Sequence, residues 1–144
     1  MPEIAAKCKT PKDMGMFYRK SATGSEKDDF CHEMLLVIEE GNGTTVFTGC
    51  SHKGILNFVS SSEAQFPQMD IRTIVGGLHM MNPATKRLSE SKTDVRLVGS
   101  MLFKNDKVTK LYTGHCTGEM AYSMLKLEMS EKLEPIMVGL QFAV

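Results

Sequence analysis

Three apolar segments of this chain end alike: VFTGCSHKG, IVGGLHMM and LYTGHCTG. Each closes on glycine and presents a histidine (His52, His79, His115) within three residues. Between them lie stretches with helical spacing. Strands that alternate with helices must be joined by crossovers, which restricts the chain to an α/β architecture with a largely parallel sheet. Right-handed crossovers bring all three glycine–histidine junctions to one edge of that sheet, beyond the carboxyl ends of the strands. Open α/β folds place their ligands there.

The remaining signals agree. MLLVIEE, the GNG turn and TTVFTG (residues 44–49) read as an antiparallel hairpin. In GILNFVSSSEAQF, Ile55, Leu56, Phe58 and Val59 recur at helical spacing, and Pro67 limits the end. Residues 71–77 read as a buried strand. A helix is expected around residues 93–104, with Val95, Val98 and Leu102 on one face. KVTKLYTG is a strand. The next helix, from Glu119 to about Leu133, is expected to bury Met120, Met124, Leu125 and Leu127. EPIMVGLQFAV reads as a last strand. The order from residue 31 to 144 is β-β-α-β-α-β-α-β, a mixed and mostly parallel sheet. Residues 1–30 read as an irregular polar arm with one short strand at residues 16–18.

Composition narrows the function. The 17 Lys+Arg and 17 Asp+Glu residues cancel, so no net charge draws the chain to nucleic acid or to an anionic membrane. No apolar run is long enough to span a bilayer, and the first residues lack a signal peptide's apolar core. Four cysteines without a CxxC spacing fit a reduced, cytoplasmic protein. Three of the four histidines lie within two positions of a cysteine: Cys31-His32, Cys50-Ser51-His52 and His115-Cys116. Metal sites and reactive thiols are the physical reasons for such neighbours. His52 and His115 are therefore candidate metal ligands, and His79 is a ligand or a metal-adjacent, substrate-facing residue. Cys50 and Cys116 read as packed or ligand-supporting thiols, with a catalytic thiol as the alternative, and Thr117 as a helix cap. Helix N-termini beside such histidines suit a small anionic substrate.

The motifs VFTGCSHKGILNFV, IVGGLHM and LYTGHCTGEMA, in this order, resemble the second half of one branch of the metallo-β-lactamase superfamily. That branch is similar to dihydropterin-ribofuranosylaminobenzene phosphate synthases. The resemblance implies half of an αβ/βα sandwich, and a zinc or other divalent metal that activates water for hydrolysis. It matches His52 to the ligand after the GCS turn, His115 to the late ligand on GHCTG, and His79 to the GG-x-H histidine. Cys50, Ser51, Cys116 and Thr117 then flank the metal or the substrate. The HxHxDH signature of the other half is absent from this sequence. The expectation is a hydrolase-family domain incomplete on its own; the alternative is a non-catalytic remnant that binds a metal or a small anion. The sheet face that the other half would cover calls for a second copy or a partner chain.

Overall fold

The computed structural model describes residues 8, 10–12, 16–41, 43–104 and 108–142. Among these residues, seven strands and three helices follow one another: β1 (Tyr18–Ser21), β2 (Gly24–Lys27), β3 (Leu35–Glu40), β4 (Gly43–Thr48), α1 (Ile55–Gln65), β5 (Asp70–Val75), α2 (Lys92–Phe103), β6 (Lys110–Thr113), α3 (Glu119–Met129) and β7 (Leu133–Pro135). β1 and β2 form a separate antiparallel hairpin. The other five make one sheet in the order β3-β4-β5-β6-β7, antiparallel only between β3 and β4. This is the mixed, mostly parallel α/β sheet expected from the sequence.

Strand register explains why the sheet buries one face so fully. Val37, Val46, Ile74, Leu111 and Leu133 are direct cross-strand partners in a single row across all five strands. Four of them are completely buried. Beneath them lie Ile55 and Phe58 of α1, Val95 and Leu102 of α2, and Ala121 and Leu125 of α3. Each large apolar side chain of this set contributes roughly 1.5–3 kcal/mol of burial. The next row, Leu36, Phe47, Val75, Tyr112 and Glu134, points to the opposite face. No helix covers that face among the described residues. Leu36 is 58% exposed, and the Tyr112 ring is stacked by Phe142 from the C-terminal tail, 4.3 Å between centroids.

Several local expectations are corrected. The arm carries the β1–β2 hairpin, not one short strand at residues 16–18. The last strand stops at Pro135, because the chain turns at residues 136–140 with Leu140 N–H bonded to the Met137 carbonyl. Helix α3 ends at Met129 and buries Ala121, Leu125 and Met129; Met120 and Leu127 are exposed. The helical phase is therefore set by small Ala121 against the core, not by the larger apolar residues beside it. Helix α2 is capped by Ser91, whose Oγ accepts from Asp94 N–H and donates to the Asp94 carboxylate. No helix among the described residues is long and apolar enough to cross a membrane.

Candidate functional site

The three junctions do meet at one sheet edge, and hydrogen bonds stitch the middle one to both outer ones. Gly77 N–H donates to the Gly49 carbonyl (2.8 Å), and both Met80 and Met81 N–H donate to the Cys116 carbonyl (3.0 Å each). Leu78 N–H donates to Thr117 Oγ1 (3.0 Å), and Thr113 Oγ1 donates to the Gly76 carbonyl (2.7 Å). Thr113 and Thr117 hydroxyls are 2.6 Å apart. Because the Thr113 proton is committed to Gly76, Thr117 must donate to Thr113. Thr117 is thus not a helix cap, as α3 has no side-chain cap. It is a relay between β6 and the loop carrying His79.

Backbone strain concentrates at this edge. Ser51, His79 and His115 all have positive φ (59°, 48° and 51°), a conformation costly for side chains other than glycine. The glycines that end the strands do not carry the positive φ. That conformation falls to Gly54 and Gly118, which immediately precede α1 and α3 at φ 87° and 75°.

The two outer junctions are built alike, counted back from these glycines. Ser51 stands three residues before Gly54, and His115 three before Gly118, both in the left-handed region. His115 therefore holds the backbone place of Ser51, and Cys116 that of His52. Ser51 is buried, its Oγ 3.0 Å from Thr48 Oγ1. His115 is exposed, on the wall of an open cleft of about 790 Å³ with Lys86, Glu119, Tyr122 and Ser123.

The structure brings His52 and His79 together, with ring centroids 3.9 Å apart. His79 is buried and His52 half-buried. His52 Nδ1 is enclosed without a hydrogen-bond partner among the described residues. Burial, and secondarily His79 and His32, hold the His52 pKa down to about 4, against an opposing pull from Asp28. Its imidazole is neutral at neutral pH, the form that ligates metals.

Aromatic rings from the N-terminal arm close over this pair. Phe30 is stacked on His52 at 4.0 Å, and Phe17 lies edge-on to His52 at 5.1 Å and tilted to His79 at 5.6 Å. The Glu33 carboxylate accepts from His52 N–H (2.7 Å) and Lys53 N–H (2.8 Å), fixing the turn that carries His52. Asp28 accepts from Phe30 N–H and lies 3.8 Å from His32 Nδ1. Asp28 is therefore a built part of this cluster. Phe17, Phe30 and Glu33 escaped sequence reasoning. Two phenylalanines in an otherwise polar arm were the available signal.

Cys116 is buried, and that burial, reinforced by Cys50, pushes its thiol up to about 12. It is protonated at neutral pH, which argues against a standing thiolate poised for catalysis. As for a metal, two adjacent imidazoles fall short of the three or so protein ligands a catalytic zinc uses. Among the described residues no group of three or more His, Cys, Asp or Glu is arranged to hold an ion. No reaction step through a metal follows from the described residues.

No family model matches the chain. It is 29% identical over 112 residues to a 7,8-dihydropterin-6-methyl-4-(beta-D-ribofuranosyl)-aminobenzene-5'-phosphate synthase from Methanocaldococcus jannaschii, covering 78% of this chain and 35% of that protein. It superposes with a TM-score of 0.80 and 29% identity on the crystal structure of Tm1679, a metal-dependent hydrolase of the beta-lactamase superfamily. That match covers 97% of this chain and 50% of Tm1679. The chain spans half the length of the solved structure and about a third of the curated relative. In fold and in sequence this chain is similar to metal-dependent hydrolases of the metallo-β-lactamase superfamily, on the branch that includes the dihydropterin-ribofuranosylaminobenzene phosphate synthase.

Proposed function

We propose that this chain supplies one half of a metal-dependent hydrolytic centre, with His52 and His79 as its contribution. The observation that carries the reading is the neutral His52 imidazole, its buried Nδ1 unpartnered among the described residues, in ring contact with His79 at the carboxyl edge of the sheet. A divalent metal, zinc first, would be completed by ligands of the HxHxDH type from other polypeptide. The substrate would be a small anion such as a phosphate ester. Likeness to a metal-dependent hydrolase of the beta-lactamase superfamily supports the metal chemistry. His115 would join the centre only by turning out of its cleft. The open row Leu36, Phe47 and Val75 would carry the other half, or a second copy of this chain.

The test is complementation. The purified chain is mixed with a separately expressed HxHxDH-bearing half of a similar hydrolase, and zinc per complex and phosphodiester hydrolysis are measured. The reading expects zinc uptake and turnover in the mixture, both lost in His52→Ala. A complex that forms but takes up no zinc would overturn it.

A second reading has its own observation. Phe17 and Phe30 cover the histidine pair from within the chain, as a non-catalytic module derived from such a hydrolase would. The same mixture distinguishes the two: a module of this kind leaves the added half unbound.

A further inference from the structure

The same edge carries a second pair, of sulfurs, that the histidine chemistry leaves unused. Cys50 follows β4 and Cys116 follows β6, 66 residues apart along the chain. Cys116 Sγ donates to the Cys50 carbonyl at 3.5 Å. Gly77 makes this approach possible. A Cβ at position 77 would stand 2.5 Å from Cys116 Sγ and 3.4 Å from Cys50 Cα. Both thiols are free; Cys116 is buried and Cys50 half-buried, so reagents reach Cys50 first.

We propose that Cys50 and Cys116 form a reversible disulfide that staples the β4–α1 junction to the β6–α3 junction. The oxidant is a small-molecule disulfide, RSSR. The Cys50 sulfur attacks one sulfur of RSSR, the S–S bond breaks, and one RSH leaves, giving a mixed disulfide. The Cys116 sulfur then attacks the Cys50 sulfur, and the second RSH departs. The two protein thiols each give up a hydrogen, and the electron pair reduces RSSR to two RSH, so no further reactant is needed. The bond ties the loop of Ser51 and His52 to the loop of His115 and Cys116, making the edge rigid under oxidation. The other two cysteines have no such relation. Cys31 is exposed beside Arg19, and the Cys8 backbone is bonded to Asn57.

The full chain is incubated with oxidised glutathione, remaining thiols are alkylated, and the protein is mapped by mass spectrometry. A Cys50–Cys116 cross-linked peptide is expected, together with a thermal midpoint raised by roughly 5–15 °C, both reversed by dithiothreitol. In Cys116→Ser, Cys50 retains glutathione and the midpoint does not rise. Should that variant fail to fold, Cys50→Ser serves, with Cys116 left unmodified. A folded chain in which Cys31 has exchanged completely while Cys50 and Cys116 both remain open to alkylation after unfolding would overturn the proposal. So would linkage of either to Cys8 or Cys31.

Discussion

Phe30 lies flat on His52, with ring centroids 4.0 Å apart and planes only 11° from parallel. With the Phe17 contacts to His52 and His79, it joins the N-terminal arm to the sheet edge. It desolvates the imidazole on one side while His79 crowds it on another, and both effects favour the neutral ring.

The stability of the fold should therefore depend on pH through His52. Its folded pKa, about 4, lies below the ordinary 6.5. Between those values the unfolded chain binds more protons than the folded one. The stabilisation is complete above about pH 6.5 and drains away as pH falls toward 4. The ring is partly open to solvent, so the full linkage value is discounted to roughly 1–2 kcal/mol. Urea unfolding at pH 7 and pH 5 measures it, and His52→Asn should flatten the difference.

Removing the stacked ring should expose the histidine. Phe30→Ala is expected to cost about 2–4 kcal/mol, since Phe30 is 4% exposed. It should also raise the His52 pKa toward its ordinary value, because the main cause of the depression is burial. Histidine acylation by diethylpyrocarbonate, read by peptide mapping, should accelerate at His52 and not at His115.

The threonine relay predicts a penalty without a change of shape. Thr117→Val keeps the volume but leaves Leu78 N–H, which donates to Thr117 Oγ1 at 3.0 Å, without its acceptor in a buried site. The expected loss is roughly 1–3 kcal/mol. Thr117→Ser keeps the hydroxyl and should recover most of it. Chemical denaturation of the two variants side by side checks this.

The uncovered sheet face should drive association. Leu36 and Ile38 alternate outward along β3, at 58% and 38% exposure. Sedimentation at high concentration should show self-association, weakened several-fold by Leu36→Glu. A monomer at all concentrations would leave a different chain as the occupant.

Much of this fold was legible in the sequence because each element declares its period. The row Val37, Val46, Ile74, Leu111 and Leu133 comes from segments that read as strands, and the order of elements follows. The common edge of His52 and His79 was legible too, since handed crossovers dictate it. The direction taken by His115 was not obvious, although its cause is written in the chain. TGCSHKG is one residue longer than TGHCTG, so counting back from the glycine that opens each helix sets His115 beside Ser51 rather than His52. The arm was illegible for a different reason. Phe17 and Phe30 are held by tertiary contacts with His52 and His79, partners distant in sequence that local periodicity does not reveal.

The most direct measurement is the zinc content of the homogeneous chain after saturation and exhaustive dialysis, by elemental analysis. A pair of imidazoles under two aromatic rings should retain well below one zinc per chain. One full equivalent, held tightly and released by either His52→Ala or His115→Ala, would mean that these residues complete a centre of their own, and would contradict the proposal that His52 and His79 supply only part of one.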